Sequence, residues 1–167
     1  MIDIKRASLS DVALINSLAQ EIFPVTYSEI LSQGQMEYMF DMMYSPTNIE
    51  KQMNSGHNYF IAYSQGIPSG YVAVRQLGDN HYYIEKIYTL PSAHGSGLGK
   101  QLFDFACAYA REHSQDEKCL LELNVNRYNA RAISFYTKMG MHPDRRTDEH
   151  VGNGYYANDY VMALELA

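Results

Sequence analysis

A glycine-rich segment in the middle of the chain combines two features that favour anion binding. Leu90 and Pro91 end a strand-like stretch, and Gly95, Gly97 and Gly99 then occupy alternate positions before a helical pattern begins. Alternate glycines allow a ligand to approach the backbone closely. The first N–H groups of a helix lack intrahelical partners and carry part of the helix dipole, so they attract phosphate groups. A tight strand-to-helix turn that binds nothing accounts for the same glycines equally well.

Two nucleotide-binding motifs do not fit this segment. A P-loop needs two glycines five positions apart, followed by Lys and then Ser or Thr. Here His94 stands five positions before Gly99, and Gln101 follows Lys100. A dinucleotide-binding fingerprint needs G-x-G-x-x-G near the start of a βαβ fold. This chain has G-x-G-x-G at mid-chain, so the spacing excludes both motifs.

The glycine segment resembles the acyl-CoA pyrophosphate loop of the GNAT superfamily of N-acetyltransferases, whose pattern is Q/R-x-x-G-x-G/A. His94 occupies the position of Gln or Arg, and Gly97 and Gly99 match the glycines. A second segment, residues 129–141, is similar to the family's N-x-x-A-x-x-F-Y-x-K-x-G-F, with Met141 in place of the last Phe. Two matched segments in the right order identify the chain as a member of the superfamily. More loosely, it resembles the branch that includes bacterial polyamine acetyltransferases.

The resemblance implies acetyl-CoA as the acyl donor and places it along the strand and loop. Main-chain groups of the strand before the loop would bond to pantetheine and polarise the thioester carbonyl. The loop would hold the pyrophosphate, and asparagines of the next strand and helix start would line the pantetheine arm. For Asn129, capping of its helix is an equally good explanation. The implied donor-binding residues are Ile87, Tyr88, Thr89, His94, Gly95, Ser96, Gly97, Leu98, Gly99, Lys100, Asn124, Asn129 and Tyr136.

Two side chains are implied in proton transfer. Tyr136 matches the family's general-acid tyrosine, which protonates the departing thiolate; a hydrogen-bonded core tyrosine is the alternative. Glu85 is the only acid on the strand before the loop. In many relatives the acid lies two residues earlier, where this chain has Tyr83. Glu85 could take the proton of the attacking amine, which is needed because an alkyl amine of pKa about 10 is almost fully protonated at neutral pH. Alternatively, it pairs with a neighbouring cation on the sheet.

The elements that position these residues follow from the hydrophobic pattern. Period-two stretches predict seven strands, and amphipathic stretches predict five helices in the order β-α-α-α-β-β-β-α-β-α-β-β. The first helix is expected to end near Pro24, since the residue before proline avoids the helical region. This is an α/β fold. The resemblance makes it a single GNAT-like domain over residues 1–167, with a mixed, mostly antiparallel sheet of six to seven strands and helices on both faces. The fourth and fifth strands would splay apart.

The composition of the chain indicates which classes of partner and which cellular location to expect. Thirteen Lys and Arg against nineteen Asp and Glu give a net charge of −6, which argues against nucleic acid as a partner. No apolar run has the ~20 residues that span a bilayer, and the N-terminus lacks a signal-peptide core. Two cysteines cannot form a disulfide framework, so we expect a cytoplasmic protein. No tight cluster predicts a metal site. Superfamily members are often dimers, which suggests a homodimer.

The predicted activity is acetyl-CoA-dependent N-acetylation of a primary amine by direct attack on the thioester. An acidic, aromatic surface would suit a small cationic amine such as a polyamine. The alternatives are acetylation of a protein or peptide amine, and a non-catalytic acyl-CoA-binding or sensing module. The tyrosines expected in the acceptor pocket are Tyr27, Tyr38, Tyr44 and Tyr156, and the acids near them are Glu21, Glu29, Glu37 and Asp41.

Overall fold

The computed structural model describes residues 1–167 and contains seven strands and five helices. The strands are β1 Ile2–Arg6, β2 Asn58–Ser64, β3 Ile67–Gly78, β4 His81–Thr89, β5 Cys119–Asn126, β6 His142–Gly152 and β7 Tyr155–Leu166. The helices are α1 Val12–Tyr27, α2 Gln33–Tyr44, α3 Pro46–Asn54, α4 Leu98–His113 and α5 Ala130–Lys138. The predicted element order is confirmed.

One mixed sheet contains all the strands in the order β1-β2-β3-β4-β5-β7-β6. The β4–β5 pair is parallel, and the β1–β2, β2–β3, β5–β7 and β6–β7 pairs are antiparallel. The β4–β5 pairing ends at Ile84 and Leu123, although β4 continues to Thr89 and β5 to Asn126. The predicted splay of the fourth and fifth strands requires such an early end to the pairing.

The chain forms two compact units, and the boundaries between them fall within β3, β4 and α4. Unit 1 comprises residues 1–75 and 85–106, and unit 2 comprises residues 76–84 and 107–167. The predicted donor-binding strand and glycine segment belong to unit 1, whereas Tyr136, Asn124 and Asn129 belong to unit 2. None of the helices combines the length and apolar character needed to cross a bilayer.

Unit 1 has a core rich in aromatic side chains. Apolar residues of α1 at helical spacing, including Ile15, Ala19 and Ile22, are buried in one cluster with residues of α2, α3, β2 and β3. The β2–β3 hairpin turns at Gln65 and Gly66, which both have positive φ, as a two-residue primed turn requires. The three helices are therefore anchored by burial on one face of this hairpin.

The first helix is longer than the sequence predicts. It continues through Pro24 to Tyr27, and the Ser28 N–H still donates to the Pro24 carbonyl. Proline removes one hydrogen bond in the last turn, but the Phe23 and Tyr27 rings lie 4.8 Å apart, and Phe23 also contacts Phe40. Burial of these rings offsets the missing bond, so the prediction of a helix end near Pro24 was wrong.

Strands β3 and β4 approach each other closely at Gly70. A Cβ atom at this position would lie 2.7 Å from the Tyr88 carbonyl oxygen and 3.2 Å from the Thr89 Cα. Both are backbone atoms, which cannot move aside as a flexible side chain could. Gly70 therefore sets the position of the last residues of β4, the stretch in which the donor site is predicted.

Unit 2 is built on β5, which alternates between an apolar and a polar face. Leu121, Leu123 and Val125 are buried, whereas Glu122 and Asn124 point to the opposite face. The whole length of β5 pairs with β7, and β6 forms the exposed edge of the sheet. The polar face of β5 collects the charged and hydrogen-bonding side chains described below.

Candidate functional site

The glycine segment forms an exposed loop in front of α4. Gly95 and Gly97 have φ values of +82° and +86°, a region that L side chains rarely adopt. No atom lies within 4 Å of where their Cβ atoms would be, so both face open space. The Ser96 hydroxyl accepts the Leu98 N–H at 3.3 Å and donates to the Ala93 carbonyl. The loop thus presents backbone at the start of a 16-residue helix.

Lys100, the cation predicted to assist pyrophosphate binding, already forms an ion pair. Lys100 Nζ lies 2.6 Å from Asp104 Oδ2, one helical turn further along α4, and both side chains are more than half exposed. An exposed pair of this kind contributes little to stability and can open to receive another anion. His94, Gly95, Ser96 and Gly97 are likewise exposed.

The end of β4 carries the residues predicted to contact pantetheine. Ile87, Tyr88 and Thr89 are half-buried. The Tyr88 hydroxyl lies 2.8 Å from the hydroxyl of Tyr27 in α1, and its ring contacts Tyr71. The side chain of Tyr88 therefore joins β4 to the helical layer of unit 1, which the sequence did not indicate.

Glu85 forms an ion pair within unit 1. Its Oε2 lies 2.9 Å from Arg75 Nε on β3, and both side chains are about one-third exposed. This is the pairing with a neighbouring cation that the sequence left open. The carboxylate would have to share or release Arg75 in order to accept a proton.

A buried cation beside Glu85 was missed by the sequence reasoning. Lys86 is 3% exposed. Its ammonium group donates to the Met43 carbonyl at 2.7 Å, to Gln52 Oε1 at 2.8 Å and to the Tyr59 hydroxyl at 2.5 Å. It also lies 4.3 Å from the centre of the Tyr44 ring. The available signal was the alternation of Tyr82, Ile84 and Lys86, which places this lysine on a buried face.

The partners of Lys86 are neutral, and this affects its proton affinity. Burial lowers the pKa of Lys86 from 10.5 to about 7, and the nearby carboxylate of Glu85 opposes this shift only in part. The same burial raises the pKa of Tyr59 above its usual value. Lys86 therefore changes charge near neutral pH inside the core of unit 1.

Tyr136, the predicted general acid, lies in the last turn of α5. It is 8% exposed, and its ring makes an edge contact with Phe135 at 5.3 Å. Helix α5 is capped by Asn129, whose side-chain oxygen accepts the Ala132 N–H at 3.1 Å. The capping role proposed as an alternative for Asn129 is thus present, and its amide nitrogen can still serve a ligand.

A hydrogen-bonded chain crosses the polar face of unit 2 from β4 to β7. The Tyr83 hydroxyl donates to Asn124 Oδ1 at 2.7 Å, and Asn124 Nδ2 donates to Asp159 Oδ2 at 3.2 Å. Burial is the main cause that raises the pKa of Asp159. Asn124 was predicted to contact the donor, but both ends of its amide are engaged here. Asp159 was not singled out, because only the strand pairing brings it to Asn124.

Glu122 lies on the same face and is paired with an arginine and a histidine. It is 4% exposed, and it contacts His81 Nε2 and, at 2.9 Å, Arg145 Nη1. Strands β4, β5 and β6 are joined by these contacts. No group of three or more His, Cys, Asp or Glu side chains in residues 1–167 is placed to hold a metal ion.

The residues predicted for the acceptor pocket divide between core and surface. Tyr44 is 1% exposed, and its hydroxyl accepts a hydrogen bond from Tyr71, so it belongs to the core of unit 1. Tyr27 and Tyr38 are half-buried and Tyr156 is exposed. The four acids are all exposed: Glu21, Glu29, Glu37 and Asp41.

Comparison with known proteins defines the class. The profile of the Acetyltransferase (GNAT) family matches residues 16–141, most of the chain. An uncharacterised N-acetyltransferase of Lactobacillus delbrueckii subsp. lactis is 27% identical over 158 residues, covering 90% of this chain and 88% of that protein. The fold is similar to that of PaiA N-acetyltransferase from Thermoplasma acidophilum in complex with coenzyme A, with a TM-score of 0.78, 21% identity and 98% coverage of both chains. It is also similar to that of the ribosomal-protein-S18-alanine N-acetyltransferase of Escherichia coli, with a TM-score of 0.74, 16% identity and coverage of 100% and 95%.

The protein is an acyltransferase with a GNAT-like α/β fold, a seven-stranded mixed sheet and helices on both faces. It belongs to the Acetyltransferase (GNAT) family, so the predicted resemblance is confirmed. Acetyl-CoA is its acyl donor and an amine is its acceptor.

Proposed function

We propose that this N-acetyltransferase acetylates a small cationic primary amine, such as a polyamine. The observation that supports this acceptor is the set of exposed carboxylates on and between α1 and α2, which are accompanied by the half-buried Tyr27 and Tyr38. Carboxylates attract ammonium groups, and aromatic faces bind them through cation–π contacts. The net charge of −6 acts in the same direction over the whole surface.

The donor is held in this proposal by the backbone of unit 1. The backbone N–H groups of Gly95, Gly97 and Gly99, just before and at the start of α4, bind the pyrophosphate, assisted by Lys100 once it turns from Asp104. Ile87, Tyr88 and Thr89 provide main-chain bonds to pantetheine. The two asparagines that the resemblance also implies, Asn124 and Asn129, lie in unit 2, where Asn124 bonds to Tyr83 and Asp159 and Asn129 caps α5.

The chemistry needs one proton removed from the amine and one delivered to sulfur. The free amine attacks the thioester carbonyl, and the C–S bond breaks as the N–C bond forms. Tyr136 gives its proton to the departing thiolate, a role that its burial in α5 is compatible with. The resemblance assigns the first proton to Glu85, which would have to loosen its pair with Arg75.

A protein or peptide amine is the second candidate acceptor. The fold is similar to that of the ribosomal-protein-S18-alanine N-acetyltransferase of Escherichia coli, which supports this alternative. A basic peptide would also be attracted by the exposed acids. A non-catalytic binding module has no use for the buried phenol of Tyr136.

Release of free thiol from acetyl-CoA tests the proposal when the acceptors include spermine, spermidine, aminoglycosides, amino acids and short basic peptides. We expect turnover with the polyamines and a loss of at least half of it when the carboxylates of Glu37 and Asp41 are replaced by amides. Turnover confined to peptides would favour the second candidate. Binding of acetyl-CoA without turnover of any amine would favour a sensing module.

The Tyr136→Phe variant tests the general acid. We expect kcat to fall by about ten-fold or more while acetyl-CoA still binds, because the ring packing stays and only the hydroxyl is removed. Tyr128→Phe is the matched control, since Tyr128 is exposed in the loop before α5. Equal turnover of both variants would contradict the role of Tyr136.

A further inference from the structure

The hydrogen-bonded series of Tyr83, Asn124 and Asp159 lies where the pairing between β4 and β5 ends. The last paired residues are Ile84 and Leu123, and Asn124 is the next residue of β5. Asp159 faces Asn126 across the β5–β7 pair, two residues further toward the end of β5. All of these residues belong to unit 2, which also contains Tyr136. A carboxylate is thus held at the point where the parallel strands cease to pair.

The two carboxylates that could take a proton differ in their partners. Glu85 faces the guanidinium of Arg75 at 2.9 Å. Asp159 Oδ2 instead accepts a hydrogen bond from the neutral amide of Asn124. The nearby cation, Arg127, directs its guanidinium to the Thr147 carbonyl, to Asp148 and to the main-chain oxygen of Asp159. The basic lone pairs of Asp159 are therefore less committed than those of Glu85.

We propose that Asp159, rather than Glu85, takes the proton from the acceptor's ammonium group, and that Asn124 and Tyr83 are the positioning residues that orient its carboxylate. This inference rests on the proposed function. R–NH3⁺ gives one proton to Asp159 and becomes R–NH2, whose lone pair forms the N–C bond. The C–S bond breaks, and the thiolate takes the proton of Tyr136. The second proton leaves the attacking nitrogen and restores Tyr136, while Asp159 releases its proton to solvent.

The surroundings of Asp159 suit this role. Burial raises the pKa of its carboxyl; the Asn124 hydrogen bond opposes that shift, and the carboxylates of Glu149 and Asp148 add to it while Arg127 opposes it. A carboxylate with raised proton affinity is a better base at neutral pH than an ordinary surface aspartate. An approaching ammonium group would also relieve the repulsion among the three acids.

The dependence of kcat/KM on pH tests the assignment. With a base at work, wild-type kcat/KM for spermidine, or for the fastest amine of the panel, is expected to be nearly constant between pH 7 and pH 9. In Asp159→Asn only the free amine reacts, so kcat/KM should fall by about 100-fold at pH 7. It should then rise about ten-fold per pH unit, because the free fraction of an alkyl amine rises by that factor.

The controls separate catalysis from structure. Asparagine can still accept the Asn124 hydrogen bond, so acetyl-CoA affinity by calorimetry and the melting temperature should match the wild type. Glu165→Gln removes an exposed carboxylate elsewhere on β7 and should leave the profile unchanged. Glu85→Gln should keep the flat profile, and Tyr83→Phe should cause a few-fold loss, since one positioning hydrogen bond is removed.

Three results would overturn the inference. They are a wild-type kcat/KM that already rises ten-fold per pH unit, an Asp159→Asn loss of equal size at pH 7 and pH 9, and a steep profile that appears in Glu85→Gln instead. The first result needs no variant and holds even if Asp159→Asn fails to fold. Failure of the proposed function is distinct, because no amine would then release thiol with the wild-type protein.

Discussion

Each unit of the molecule buries one charge, and the two are stabilised in opposite ways. Lys86 in unit 1 is 3% exposed and donates its protons to two neutral oxygen acceptors of side chains and to one carbonyl. Glu122 in unit 2 is 4% exposed and contacts the imidazole of His81 and the guanidinium of Arg145. The ammonium group of Lys86 has only neutral dipoles as hydrogen-bond partners. The carboxylate of Glu122 has a guanidinium and an imidazole.

The neutral surroundings of Lys86 explain why it titrates near neutral pH. Neutral acceptors do not fully replace the water lost by a buried ammonium group, so the pKa of Lys86 falls to about 7. The carboxylate of Glu122 instead has the guanidinium of Arg145 and the imidazole of His81 as partners, and both of these side chains are partly exposed. Unit 1 therefore contains a proton-sensitive core, and unit 2 contains an ionic connection between strands.

The largest expected effect tests whether unit 1 depends on close packing. Gly70→Ala would place a Cβ 2.7 Å from the Tyr88 carbonyl. We expect the free energy of unfolding to fall by about 3 kcal/mol, since a backbone atom must move. Affinity for acetyl-CoA should fall as well, because Tyr88 and Thr89 shift. Chemical denaturation and calorimetry measure both, and unchanged values would show that β4 moves aside freely.

Removing the charge of Glu122 tests how much its ionic contacts stabilise unit 2. Glu122→Gln keeps the shape but leaves Arg145 and His81 without their carboxylate. We expect a loss of about 2 kcal/mol in the free energy of unfolding, measured by denaturant titration. The loss is kept moderate because Arg145 is half-exposed and can be hydrated. A more stable variant would mean that the ionic contacts cost more than they return.

The free energy of unfolding should depend on pH through the buried ammonium group of Lys86. Below pH 7 the folded protein carries the buried ammonium, whereas the unfolded chain stays protonated up to about pH 10.5. Between these values the unfolded state binds more protons, so stability rises with pH. From pH 7 to pH 9 the contribution is about 2 kcal/mol.

Lys86→Met should remove this contribution. The acceptors stay satisfied, because Tyr59 still donates to Gln52 and the Gln52 amide still donates to the Met43 carbonyl. The other charged and titratable groups near Lys86, which are Glu85, Arg75 and His57, are unchanged in this variant. Denaturant titrations of both proteins at pH 7, 8 and 9 measure the difference. Parallel curves would show that Lys86 does not change charge in this range.

The smallest expected stability effect lies in the glycine loop. Lys100→Ala removes an exposed pair with Asp104, and we expect a melting temperature within error of the wild type. Affinity for acetyl-CoA should fall several-fold if Lys100 turns to the pyrophosphate. Isothermal titration calorimetry with coenzyme A measures this affinity. Unchanged affinity would leave the pyrophosphate to the backbone alone.

Local patterns predicted most of the fold. Period-two stretches located the strands, Ser45 caps α3 as expected, and the turn at Gly152–Gly154 joins the last two strands. The end of α1 was wrong, because the preference of Pro24 is a local effect and the packing of Phe23 against Phe40 is not. The family motif located the loop and Tyr136 for the same reason: both are continuous segments.

The rest of the site depends on contacts between distant segments. Asn124 and Asp159 are 35 residues apart, and only the β5–β7 register brings them together. The partners of Lys86 come from α2, α3 and β2, so no spacing rule could assign them. The role of Gly70 likewise appears only when β3 and β4 are placed side by side.

Mass spectrometry of the acceptor after incubation with isotopically labelled acetyl-CoA shows directly whether this protein transfers the acetyl group to an amine. We expect that spermidine, or another small amine of the panel, gains one labelled acetyl group on nitrogen, and that Tyr136→Phe slows this transfer by about ten-fold or more. Label that remains in acetyl-CoA, or appears only as free acetate, with every amine and peptide tested would contradict it.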